Sequence, residues 1–201
     1  MAKGRKEYPS LMRAIEDRMT VRDFSGETMP RWILDDLIRA ACGNTHDDAG
    51  YKLRASPSAG ATYPVEQYLF LNAVEKFENG IYKYDVDSEA LKILRPGDFR
   101  KEIWKESLEQ DFIMSSNAIF MMVYNPARII GRYREKSRDY ALMECGHIAQ
   151  NLLLVAAALK LGNVPVGAFN ERELGDILRL RGDREVLYLV CLGTAPIDYP
   201  R

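Results

Sequence analysis

Ala118-Ile119-Phe120-Met121-Met122-Val123-Tyr124 is apolar at every position and has the length of a strand. A strand with one face in water alternates, whereas one covered on both faces does not. This run therefore belongs in the middle of a sheet packed between other elements. Val186 to Leu192 (VLYLVCL) repeats the pattern and belongs beside it. Val65 to Asn72 (VEQYLFLN), rich in aromatic and branched residues, reads as a third strand. Ile81–Tyr84 and Leu91–Leu94, separated by Asp85–Ala90, read as a small hairpin or meander.

Helical spacing fills the gaps. Leu11, Met12 and Ile15 predict a first helix from Pro9 to Arg18. Thr28 and Pro30 mark a second start, which runs through Ile33, Leu34, Leu37, Ile38 and Ala41 until Gly43 stops it. Asn44 to Arg54 is polar and aperiodic, so an exposed loop is expected. Asp98 is placed to cap a helix through Leu108. Asn170-Glu171-Arg172-Glu173 resembles a capping box ahead of Leu174, Ile177 and Leu178. No internal repeat, low-complexity tract or long linker interrupts the order. The 201 residues read as one domain, 1–201, large enough to bury roughly 70% of the unfolded surface.

The segment Ser137–Gly162 starts amphipathic and becomes Leu152-Leu153-Leu154-Val155-Ala156-Ala157-Ala158-Leu159, apolar on every side. Such a helix must be covered all round. Glu144, His147, Gln150, Asn151 and Lys160 break the stretch, which falls short of the roughly 18 to 20 consecutive apolar residues of a membrane span. Two arrangements supply the cover: a second copy of the chain in an obligate homodimer, or the middle of a monomeric α/β domain. The homodimer is the expectation, because one small subunit has little material to surround the helix.

Charge narrows the partners. Lys and Arg number 28 against 29 Asp and Glu, a net charge of −1, without the basic excess of a nucleic-acid binder. Cys42, Cys145 and Cys191 lack CxxC spacing and lie among apolar residues, as expected for buried thiols in a reducing cytoplasm. The basic Met1–Lys6 stretch is followed by Glu7, Tyr8 and Pro9, not by the apolar core of a signal peptide. A small-molecule partner is expected, with neither nucleic acid nor membrane.

Several chemistries lack their signatures. GxGxxG after a strand, GxxxxGK[ST], HExxH, paired CxxC and GxSxG are all missing. With only His46 and His147, no metal site is expected. His147, on the apolar helix, reads as a core histidine and His46 as a solvated one. A bound cofactor that carries the hard chemistry accounts for this shortage of acids, bases and nucleophiles.

Two short stretches suit such a cofactor. Arg18-Met19-Thr20-Val21-Arg22 offers two guanidiniums and a hydroxyl within five residues, matched to a phosphate. The competing reading pairs Arg18 and Arg22 with Asp17 and Asp23 as surface ion pairs. Pro57-Ser58-Ala59-Gly60-Ala61-Thr62-Tyr63-Pro64 is a run of small residues between prolines, where backbone amides can approach a flat ligand. A phosphorylated planar cofactor, flavin mononucleotide (FMN), fits both.

The order RxTxR, then PSAGATYP leading into a strand, then Tyr140–Gly162, then Val164-Pro165-Val166-Gly167-Ala168-Phe169 resembles the nitroreductase family of FMN-dependent oxidoreductases, from about Ile15 to Gly193. Within it, PSAGA followed by Tyr-Pro is closest to the branch of the SagB-type dehydrogenases. The resemblance implies an α+β fold: a central, mostly antiparallel sheet flanked by helices, in an intertwined homodimer with FMN at the subunit interface. It implies that Arg18 and Thr20 hold the phosphate, with Met19 contributing backbone between them. Arg22 reaches the pyrimidine edge or ribityl chain. Pro57, Ser58, Ala59 and Gly60 line the ring from the partner subunit, and Gly167 and Ala168 bring a backbone amide to flavin N5. Arg201 is a candidate to close the phosphate site.

The implied activity is ping-pong transfer of electrons from NAD(P)H to a nitroaromatic, quinone or similar acceptor. Asn44–Arg54 and the basic Gly131–Ser137 stretch are candidate lids; for the latter the favoured reading is a solvated helix start, with Glu135 and Asp139 interspersed. The alternatives are a SagB-like peptide azoline dehydrogenase, although the chain lacks extra domains to hold a peptide, and a flavin carrier or sensor without turnover.

Overall fold

The computed structural model describes residues 8–48 and 51–195. Six strands form one sheet: β3 (Val65–Leu71), β4 (Gly80–Asp85), β5 (Ala90–Pro96), β6 (Ala118–Tyr124), β7 (Leu161–Val166) and β8 (Glu185–Thr194). Their spatial order is β5-β4-β3-β6-β8-β7, with every pair antiparallel. The two continuous apolar runs are therefore central neighbours, as their lack of alternation requires. Phe120 and Met122 of β6 face one core, and Ile119, Met121 and Val123 face the other.

Helices cover both faces, giving an α+β sandwich. On one face lie α2 (Arg31–Cys42) and α6 (Ser137–Leu159), packed through Leu34, Leu37, Ile148 and Leu152. On the other lie α3 (Arg100–Glu106), α4 (Phe112–Ser115) and α7 (Glu171–Ile177), with Ile103, Ile113 and Leu174 buried. The short α1 (Leu11–Asp17) packs on α6, capped by the Ser10 hydroxyl, which accepts from the Arg13 N–H. A last helical turn, α5 (Ile130–Tyr133), precedes α6.

Four local expectations are corrected. Asn44–Arg54 is not a loop but a separate antiparallel hairpin, β1 (Asn44–Asp48) and β2 (Tyr51–Arg54). Polar side chains hid it, because it forms outside the main sheet. The Asp98 helix ends at Glu106, and its first residue is preceded by Phe99; Asp98 instead accepts from the Arg100 backbone and guanidinium. Asn170 precedes α7 but caps nothing with its side chain, which donates to Glu106 instead at 2.8 Å. His147 is exposed, not a core residue.

The apolar half of α6 is covered more completely by its own chain than the sequence implied. None of Leu152 to Leu159 is exposed. The exposed apolar residues lie elsewhere, at Leu142 and Met143 on α6 and at Leu11, Met12 and Ile15 on α1. By length and composition Ile130–Leu159 is long and apolar enough to cross a membrane, but half of its most apolar stretch is buried inside the protein.

Candidate functional site

Arg18 ends α1 in extended backbone, so the chain leaves the helix directly into Met19–Arg22. That segment runs beside β7. Val21 donates to the Asn163 carbonyl at 3.0 Å and accepts from the Asn163 N–H at 2.9 Å, a two-bond antiparallel bridge. Asp17 is taken by Arg13 at 2.8 Å. Neither Arg18 nor Arg22 has an ion pair among the described residues, so the competing surface-pair reading does not hold.

Gly167 and Ala168 follow directly from Val166, the last residue of the same β7, and both are exposed. A Cβ added to Gly167 would meet nothing nearer than Tyr188 Cε2 at 3.9 Å. The packing of this chain does not demand glycine there. β7 thus holds the arginine segment along one side and the Gly167–Ala168 turn at one end, two stretches far apart in sequence.

Pro57–Gly60 is not brought to them. It leads into a short 3-10 turn, Ala59–Ala61, with Gly60 at φ 56°. The Gly60 carbonyl accepts from Arg132 at 3.1 Å, and a Cβ there would lie 2.7 Å from the Tyr133 hydroxyl. No hydrogen bond among the described residues joins this turn to Arg18–Arg22 or to Gly167–Ala168. The Gly131–Ser137 stretch, expected as a lid, is helical and braces the turn through Arg132; beyond it Arg138 pairs with Glu185 at 2.8 Å. Arg201 lies outside the described residues.

Beneath the turn sits a carboxyl group to which the sequence assigned no role. Glu144, on α6, is 3% exposed. Its Oε1 accepts from the Val65 N–H at 3.3 Å, Ser58 lies close by, and Oε2 has no hydrogen-bond partner among the described residues. Ser58 Oγ in turn accepts from the Tyr63 N–H at 2.9 Å. Burial pushes the Glu144 pKa up to about 7, against the pulls of Ser58, the Val65 amide, Arg54 and Arg128. The only legible signal was a charge in the middle of an apolar helix. The three cysteines are buried and free, and burial raises the Cys42 and Cys191 thiols to about 12.

A model of the nitroreductase family matches residues 15–194. A Methanocaldococcus jannaschii protein whose name assigns it to the nitroreductases is 34% identical over 164 residues, 82% of this chain and 81% of that one. A crystal structure from Ralstonia eutropha, also named for the nitroreductases, superposes with a TM-score of 0.82 at 25% identity, over 98% of this chain and 88% of that one. The NADPH:FMN oxidoreductase of Vibrio harveyi, solved with NAD+, shares the fold alone, with a TM-score of 0.67 at 18% identity over 95% and 70% of the two chains. By class the chain is an oxidoreductase. It belongs to the nitroreductase family.

Proposed function

We propose that the protein is an FMN-dependent oxidoreductase, working as a homodimer, that carries electrons from NADH or NADPH to a small organic acceptor such as a nitroaromatic or quinone. The observation that carries the reading is the shared edge of β7. Asn163, which grips Val21, and Gly167, just past the end of β7, are four residues apart, about 13 Å at the rise of extended chain. That separates a cationic end from an amide-bearing end on the scale of a mononucleotide's phosphate and ring.

The residues fit the group. Arg18 and Thr20 have donors free for a phosphate, with the Met19 backbone between them, and Gly167 and Ala168 leave backbone amides uncovered. When bound, the flavin supplies reversible two-electron transfer. Arg22 would reach its pyrimidine edge or ribityl chain, and a positive charge at that edge would favour the electron-rich form. Pro57, Ser58, Ala59 and Gly60 of the partner subunit close the ring from the other side. Their separation from Arg18–Arg22 within one chain supports a shared site. So does the apolar surface left open on α1 and α6, with Met12 63% and Leu142 42% exposed. The reading places the protein in the cytoplasm, where its buried thiols stay reduced.

The test is anaerobic mixing of the FMN-loaded protein with NADH and with NADPH. Bleaching of the oxidised-flavin absorbance, restored by a quinone, is expected. A protein that holds FMN but is reduced by neither donor is a carrier, and one that holds no FMN overturns the reading.

A further inference from the structure

We propose that a fork in the sheet, between β3 and β4, is a second binding site, which takes a small organic carboxylate that also carries a hydroxyl. The inference stands apart from the flavin reading: none of the ten residues assigned there lines this cavity.

The fork follows from the register. β3 pairs with β4 only from Leu71–Gly80 to Tyr68–Lys83. Beyond Tyr68, Val65–Gln67 pair with β6 alone, while Tyr84 and Asp85 pair with β5 alone. The strands part and leave a cavity of about 340 Å³, at the small end of the range for ligand pockets. Its walls include Arg54, Val65, Gln67, Tyr84, Val86 and Leu94.

Two polar groups there lack partners. Gln67 is 3% exposed, and among the described residues neither its Nε2 nor its Oε1 has a hydrogen bond. By its place on β3 it shares a face with Val65 and Leu69, as a polar member of an otherwise apolar row. Buried amides are rarely left with neither atom paired, which points to a group that arrives from outside. Arg54 is the second. Its guanidinium lies over the Tyr63 ring at 4.2 Å, with no hydrogen bond or ion pair among the described residues. Glu144 faces it from α6 only through space.

Among the described residues, two of the cavity's three acids are answered by other cations. Glu66 is bonded by Lys83 at 2.9 Å and flanked by Arg128 and Arg184, and Asp85 is bonded by Lys92. Asp87 lies exposed at the rim. Arg54 is therefore the cation left for an incoming anion. A carboxylate takes its fork of donors together with Gln67 Nε2; a hydroxyl on the same molecule donates to Gln67 Oε1. The body packs on Val65, Val86 and Tyr84.

The probe is mandelate, whose hydroxyl and carboxylate sit on neighbouring carbons and so can meet one amide together, titrated calorimetrically into the protein with and without added FMN. Saturable binding is expected in both, weakened at least tenfold in Gln67→Leu and in Arg54→Met. Gln67→Leu should melt higher than wild type when no probe is present, because it removes unpaired buried polar atoms, so loss of binding there is not loss of fold. Crystals soaked in 4-bromomandelate should show the bromine between β3 and β4. No binding in solution, binding unchanged in both variants, or a bromine only beside β7 overturns the proposal.

Discussion

Val21 and Asn163 bind each other through two backbone hydrogen bonds, at 3.0 and 2.9 Å, and so add an extra rung to the outer edge of β7. Side chains on either side of Val21 then project from a fixed backbone and not from a mobile linker. This is what turns an unspecific RxTxR string into a positioned set of donors at the edge of a sheet.

That geometry makes the two arginines separable. Hydrogen bonds to charged groups contribute about 1.5–3 kcal/mol each. Arg18→Ala and Arg22→Ala should each weaken FMN binding by roughly ten- to a hundredfold, read by flavin fluorescence titration. Arg22→Ala should in addition slow reduction by the nicotinamide. A variant with unchanged affinity and rate removes its residue from the site.

Gly60 and Gly26 both adopt left-handed backbone, at φ 56° and 72°. Alanine in that region costs about 1–2 kcal/mol. At Gly26 nothing lies within 4 Å of the added Cβ, so Gly26→Ala should cost that and no more. At Gly60 the Cβ also crowds the Arg132 guanidinium and the Tyr133 hydroxyl. Urea unfolding should show Gly60→Ala to be the worse of the two. Equal losses would mean that the Arg132 brace contributes nothing.

Glu144 carries a pH signature. Its folded pKa, about 7, stands above the ordinary glutamate value of 4.5, so the folded state holds the proton longer than the unfolded chain does. This contribution to stability is complete below about pH 4.5 and declines as pH rises toward 7, by on the order of 3 kcal/mol. Glu144→Gln should therefore gain stability over wild type at pH 8 and match it more closely near pH 5. Denaturant curves at the two pH values decide. Parallel behaviour of the two proteins would show that the carboxyl is already ionised within the fold.

The subunit contact is tested at its apolar surface. Met12→Lys and Leu142→Arg place charge on exposed side chains, so neither should disturb the fold of one chain. Sedimentation should show two subunits for wild type and one for the double variant, with FMN lost on dissociation. A wild type that sediments as one subunit ends the shared-site model.

The sheet was legible because burial on both faces leaves its mark on each strand separately. β6 and β8 needed no knowledge of their neighbours to be read as central, and α2 shows its period and its Gly43 stop within a dozen residues. Asn170 misled because an amide that can cap a helix can equally reach a distant carboxylate, and Glu106 lies within its reach. The hairpin Asn44–Arg54 was hidden because its ladder is made of backbone groups, to which side-chain polarity is indifferent.

The sequence by itself determined the central strands β3, β6 and β8, the helices α2 and α6, and the anion-seeking and bulk-free stretches, since each is a property of neighbours along the chain. Only the tertiary structure decided that Arg18–Arg22 runs beside the strand that Gly167–Ala168 follow, that Pro57–Gly60 stands apart, and that Gln67 and Arg54 face a gap where β3 leaves β4. Those are matters of register and long-range pairing. A one-residue shift in a strand moves every side chain to the other face, and no local pattern records which partner a strand will choose.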